Sequence, residues 1–267
     1  ICAGISFGVE KAAVGVLEGK LLGHSVGRFG LPSDDEKVKA IMGFPPLKEK
    51  EHIQQFLGCT NFNQPLSNLL NVDLMNTTPR DLSFMFYNTI LFNQNLGNWN
   101  VNYVTTMSGM FRGASAFNNG GSNTIKNWAA RNCSSFNLTF YGTTSFNQPL
   151  DNLVDTTTVP ATCQQMFYNA TLFNQDLSNW KLNRVTNLSG IFSGATTTQT
   201  SFNNGDAAGA STKPLTNWTA PECTTFSTMF YNNIKFNQAI PNLVDTSSLS
   251  STCSLNQMFN IAQTFNQ

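Results

Sequence analysis

Phe62 opens the stretch "FNQPLSN", and near copies open at Phe92 ("FNQNLGN"), Phe146 ("FNQPLDN") and Phe173 ("FNQDLSN"). Phe-Asn also opens variants at Phe117, Phe202, Phe236 and Phe265, so successive starts lie 30, 25, 29, 27, 29, 34 and 29 residues apart. Ahead of each comes a second landmark whose last residue is Phe86, Phe111, Phe140, Phe167, Phe192, Phe230 or Phe259, preceded by Met, Thr139 or Ile191. That Phe sits six residues before the next Phe-Asn, except at Phe192, where "ATTTQT" lengthens the gap to ten. Asn-Trp recurs at Trp99, Trp128, Trp180 and Trp218, each twelve residues before the later Phe. Fixed spacing between large apolar residues, with variable filler elsewhere, specifies one structural unit stacked on copies of itself. A single unit cannot bury its own apolar side, so stability is a sum over neighbouring units.

A longer rhythm overlies the first. Units opening at 62, 146 and 236 carry Asn-Leu (Leu69, Leu153, Leu243) where others carry Asn-Trp, and units opening at 117 and 202 carry Phe-Asn-Asn and a Gly-rich insert. Duplication of a three-unit block is the simplest origin. Within a unit, Val101, Tyr103 or Val104, and Met107 suit a short strand whose inward residues stack on the next unit. The segment around Met110-Phe111 is too short for a free helix and predicts one or two turns held by buried side chains. The Asn after each Phe predicts a turn amide bonded to backbone. The recurring heptapeptide is therefore the turn between rungs.

Charge separates this array from residues 1–61. That segment holds 7 Lys+Arg and 7 Asp+Glu, whereas the 206 residues from 62 to 267 hold 8 and 8, so charge density falls about threefold at the junction. Neither part has a net charge, which argues against nucleic acid as a partner. No run reaches the roughly 18–20 apolar residues of a membrane span, and no signal peptide is present. With 40% hydrophobic residues and 22 Phe, the chain has ample material for a core.

In residues 1–61, Gly23, Gly27 and Gly30 within "LLGHSVGRFGL" predict two short strands and a turn. Ser33 with Glu36 forms a capping box, Asp34 and Asp35 suit a helix start, and Pro45-Pro46 stop that helix. A second helix follows through Ile53, Phe56 and Leu57 to Gly58. The order Leu22-Gly23-His24, Gly30-Leu31-Pro32-Ser33-Asp34, Glu36-Lys37-Val38-Lys39-Ala40-Ile41, Pro45-Pro46 and Phe56-Leu57-Gly58 resembles gypsy-type retroelement reverse transcriptases just after the polymerase palm. That family's Tyr-x-Asp-Asp motif is absent here, and Asp34 and Asp35 do not match it. Residues 1–61 are thus expected to be an inactive remnant fused to the array, or a gene-model artefact.

Residues 62–267 resemble the BspA-like leucine-rich-repeat surface proteins, most closely in residues 92–119, "FNQNLGNWNVNYVTTMSGMFRGASAFNN". The resemblance implies an α+β repeat solenoid, a leucine-rich-repeat-like array of about seven units of 25–34 residues beside a small helical N-terminal segment. It implies extracellular or cell-surface adhesion and protein binding without catalysis, with a protein partner. The array closes in mid-pattern at Phe265-Asn266-Gln267, which predicts a longer array and self-association through solenoid ends as the alternative function. A reverse-transcriptase-derived protein is the remote alternative.

Candidate chemistry is sparse. Both His, His24 and His52, precede the array, so no His serves a nucleophile there. No Cys-x-x-Cys occurs, and no catalytic residue, cofactor or metal is expected. Asp151, Asp155 and Asp245 are too scattered to favour calcium. Cys133 and Cys163 are 30 residues apart, as are Cys223 and Cys253. The spacing suits either two inter-rung disulfides or small buried thiols in the core. Tyr87, Tyr141, Tyr168 and Tyr231 each follow the second-landmark Phe. Stacked, they form either an exposed binding stripe or an inward packing ladder. Six Asn-x-Ser/Thr sequons, at Asn76, Asn132, Asn137, Asn169, Asn187 and Asn217, bear on function only in a secreted chain.

Overall fold

A computed structural model describes residues 19–21, 24–26, 60–66, 79–244 and 253–267. In the first segment, β1 (Gly19–Leu21) pairs antiparallel with β2 (His24–Val26), with Leu21 opposite His24. The two helices expected after it lie outside the described residues, as do Leu69, Asn76 and Asp245.

The array is built from parallel rungs. β3 (Arg80–Asp81) pairs with β4 (Val104–Thr106), and β5 (Ala161–Thr162) pairs with β6 (Val185–Asn187), both parallel. Single bridges Thr106↔Ser135, Ser135↔Thr162, Asn187↔Thr225 and Thr225↔Ser254 extend the same line. The result is one narrow parallel ladder from residue 81 to residue 254. Among the described residues the only helices are two short 3-10 segments, Asn119–Gly121 and Asn123–Asn127, in the Gly-rich insert.

After the strand, each unit runs through two tight turns whose amides do different jobs. Phe86, Phe111, Phe140, Phe167, Phe192 and Phe230 each donate their N–H to the residue before the matching Phe of the next unit, at 2.8–3.0 Å. The residues two before and two after do the same, as Phe84 N–H to Ser108 and Asn88 N–H to Arg112. The amides between them close local turns, as Met85 to Leu82 and Tyr87 to Phe84. These turn amides are thereby partnered without a regular helix or a wide sheet. The geometry requires left-handed backbone two residues before the Phe, and Phe84, Gly109, Leu138, Gln165, Gly190, Thr228 and Gln257 all have φ between 51° and 61°. At Gly109 the need is double, because an added Cβ would meet the Phe84 ring at 2.5 Å.

Aromatic rings fill the interior. One column stacks Phe86, Phe111, Phe140, Phe167, Phe192 and Phe230 to Phe259 with centroids 5.3–5.7 Å apart. The other runs from Phe62 to Phe265 at 5.7–6.1 Å. Within each unit the two Phe stack at 3.8–4.3 Å. Phe192 and Phe202 keep this contact at 3.8 Å although ten residues separate them, so residues 195–200 loop out and leave the stack intact. Val101, Val104, Met107, Met110 and Phe111 are buried, but β4 is shorter than the strand expected, because Val101 and Met107 lie outside it and Val101 accepts the turn bond from the Val104 N–H. Thr139, in place of the usual Met, is satisfied in the core: its hydroxyl donates to the Phe136 carbonyl at 2.7 Å, with the Met107 carbonyl a second acceptor at 3.0 Å.

Each Asn after a Phe holds the next rung. The Asn63 side-chain oxygen accepts the Asn93 backbone N–H, and the relation repeats from Asn93 to Asn118, Asn118 to Asn147, Asn147 to Asn174, Asn174 to Asn203, Asn203 to Asn237 and Asn237 to Asn266. All seven bonds measure 2.7–2.9 Å and point the same way along the array. Gln94, Gln148, Gln175, Gln238 and Gln267 add side-chain donors to the same oxygens. A hydrogen bond of this kind contributes about 1 kcal/mol net, and its direction sets the register.

Candidate binding face

The residue immediately after each second-landmark Phe forms a column of its own: Tyr87, Arg112, Tyr141, Tyr168, Ser193, Tyr231 and Asn260. Backbone bonds fix the register, with the Gly142 N–H donating to Tyr168, Asn169 to Ser193 and Gly194 to Tyr231. The four Tyr are half-buried. Tyr141 and Tyr168 stack with centroids 4.7 Å apart and planes 10° from parallel. Burial, with Tyr141 and Tyr231 on either side, holds the Tyr168 phenol above its ordinary value and therefore neutral. Tyr141 and Tyr168 thus pack on each other while all four rings stay partly exposed.

The sequence reading missed three members of the column, Arg112, Ser193 and Asn260. Arg112 lies between two tyrosines, its guanidinium carbon 5.6 Å from the Tyr87 ring centre and 5.1 Å from that of Tyr141. Such contacts contribute about 0.5–1 kcal/mol at exposed sites. Ser193 occupies the equivalent place between Tyr168 and Tyr231 and is buried. All three follow a landmark Phe by one residue, the same offset that marked the tyrosines, so alignment of the units by that Phe exposes them. Phe84 extends the aromatic surface, meeting Tyr87 edge-on at 6.0 Å.

The cysteines are core residues. Cys133, Cys163, Cys223 and Cys253 are free thiols, the first three buried and Cys253 half-buried. Equal 30-residue spacing does not mean equal placement. Cys133 and Cys223 precede bridge residues Ser135 and Thr225 by two, Cys253 precedes Ser254 by one, and Cys163 follows Thr162 by one. Ala161, one before Thr162, pairs with Val185, two before Asn187. By that register Cys253 stacks directly on Cys223, whereas Cys163 belongs to the neighbouring column of Met107, Phe136 and Leu188. Burial pushes the Cys133 thiol up to about 12 and that of Cys223 to about 11, and raises Cys163 as well. None of the three supplies a thiolate nucleophile near neutral pH.

Other candidates are occupied structurally. Asp155 pairs with Arg131 at 3.5 Å and Lys181 at 3.3 Å, so its charge is already answered by cations. Among the sequons, the Asn137, Asn169 and Asn187 side chains accept backbone N–H groups, while Asn132 and Asn217 are exposed. Among the described residues no group of three His, Cys, Asp or Glu converges on one point, and no helix is long and apolar enough to cross a membrane.

A family model described as "Mycoplasma protein of unknown function, DUF285" matches residues 50–152, 80–205 and 199–267. No curated protein and no solved structure shows significant similarity to the chain.

Proposed function

The chain belongs to the DUF285 family, and from that premise we propose that it is a non-catalytic interaction or surface-adhesion module. Its architecture is then a leucine-rich-repeat-like solenoid akin to the BspA-like proteins, and residues 1–61 take no part in catalysis. The observation that carries this reading is the Tyr87–Arg112–Tyr141–Tyr168–Tyr231 stripe. It is a rigid, half-exposed aromatic line on a framework whose backbone is fixed rung by rung. Aromatic and arginine side chains dominate the energetics of protein interfaces, and a preformed stripe loses little conformational entropy on binding.

The test immobilises the full chain and compares proteins retained by the wild type and by a Tyr141→Ser/Tyr168→Ser variant from extracts of the source cell. A discrete set of proteins lost about tenfold or more from the variant is the expected result. Equal retention by both, or none by either, removes the reading. Molar mass rising with concentration in light scattering, with nothing retained, supports the self-assembling alternative instead.

A further inference from the structure

Asn is followed by Gly only at Asn119-Gly120 and Asn204-Gly205, at the same place in the two units that carry a Gly-rich insert. Asn-Gly is the step at which an asparagine most readily loses its amide, because glycine leaves its backbone nitrogen uncrowded. In that reaction the Gly nitrogen attacks the Asn Cγ, the bond from Cγ to the side-chain nitrogen breaks, and ammonia leaves. Water then opens the cyclic imide to aspartate or, with one extra main-chain carbon, to isoaspartate.

The fold ties down every group that this reaction uses, in the same way in both units. Asn119 and Asn204 are fully buried. The Gly120 N–H donates to Asn93 Oδ1 at 2.9 Å, and the Gly205 N–H to Asn174 Oδ1 at 3.0 Å. Asn119 Nδ2 donates to the Ser122 carbonyl at 2.6 Å and the Thr124 hydroxyl at 3.2 Å. Asn204 Nδ2 donates to the Lys213 carbonyl at 2.9 Å and the Ser178 hydroxyl at 3.0 Å. The two Oδ1 atoms accept the Leu96 and Leu177 N–H groups at 2.7 and 2.8 Å. Those donors polarise Cγ, but the other bonds hold each side chain away from the attack and keep the Gly N–H engaged.

We infer that Asn119 and Asn204 are deamidation sites that react only when their own rungs open, so that a passing opening becomes a permanent fault in the array. This holds whatever the tyrosine stripe binds. A reaction slower than reclosing follows the population of the open state, which local stability sets. The product does not refit. A carboxylate has no hydrogen for the Ser122 or Lys213 carbonyl and buries a charge beside it. The added carbon of isoaspartate lengthens the chain between two amides clamped on one oxygen, Asn118 and Gly120 on Asn93, or Asn203 and Gly205 on Asn174.

The test incubates the full-length chain at mildly alkaline pH, native and in urea, and follows both sites by peptide mass mapping that separates aspartate from isoaspartate. Both sites should react at least about a hundredfold faster in urea. Asn93→Ala frees the Gly120 N–H and should speed native reaction at Asn119 at least about tenfold, with Asn204 at the wild-type rate. Asn174→Ala should do the converse. Asn119→Asp, which installs the product directly, should lower the urea midpoint. Equal rates in the native chain and in urea overturn the inference. So does an unchanged midpoint in Asn119→Asp, or equal acceleration of both sites by either Ala variant. The wild-type comparison needs no variant, so it decides alone where an Ala chain fails to fold.

Discussion

The Trp side chains separate what a residue does by type from what it does by place. Trp99, Trp180 and Trp218 each donate the indole N–H to a Leu carbonyl of the preceding unit, at 2.8–2.9 Å. Trp128 is equally buried, yet its indole N–H has no partner. It directly follows the 3-10 segment Asn123–Asn127. Trp180→Phe removes both bulk and a hydrogen bond, whereas Trp128→Phe removes bulk and relieves an unmet donor. The second should cost about 1–2 kcal/mol less, read as a smaller drop in the urea midpoint. Equal losses would show that Trp128 is satisfied in solution. The Trp, Phe and Asn anchors were legible because each recurs at a constant offset. The partner of each indole was not, since it depends on a backbone carbonyl in another unit. Left-handed backbone at Phe84, Leu138 and Gln165 was hidden as well. Only Gly109 and Gly190 mark that position with the residue it normally prefers.

At the scale of one element, one carboxylate closes the Gly-rich insert of residues 205–212 on itself, while Asn203, Asn237 and Gln238 tie its carbonyls to the rungs. Asp206 accepts hydrogen bonds from the Thr212 hydroxyl and backbone N–H at 2.7 and 2.8 Å, and from the Ala207 N–H at 2.9 Å. Led by Thr212, these bonds lower its pKa from 3.8 to about 2. A depressed carboxylate stabilises the fold above its unfolded value, and that contribution is lost as pH falls from about 4 to about 2. The Thr212 amide resonance should therefore titrate with a midpoint near 2, and Asp206→Asn should abolish the transition. A midpoint near 4 would mean that the carboxylate is not bonded to the loop. The sequence marked this stretch as an insert, and the charge that closes it became visible only when residues 206 and 212 met in space. The cysteines repeat the lesson: a spacing of 30 could not reveal that Ala161 and Val185 pair across a shifted register.

Across the whole molecule, each rung touches its neighbours and little else, so damage should spread by proximity along the array. Phe140 stacks on Phe111, Phe146 and Phe167 at 4.3–5.5 Å. Phe140→Ala leaves a cavity in the first column, beside Phe146 of the second, and should cost about 3–5 kcal/mol. Hydrogen exchange should then accelerate over residues 107–170 while residues 226–243 keep most of their protection. Uniform acceleration from end to end would show a single cooperative unit instead. The unbroken Phe192–Phe202 stack carries a further consequence. Where extra residues leave the framework undisturbed, a lineage can rewrite the outside of such a protein without renegotiating its inside. Novelty is confined to a few hinge-like margins, and new surfaces can be tried there while inherited architecture goes on being copied.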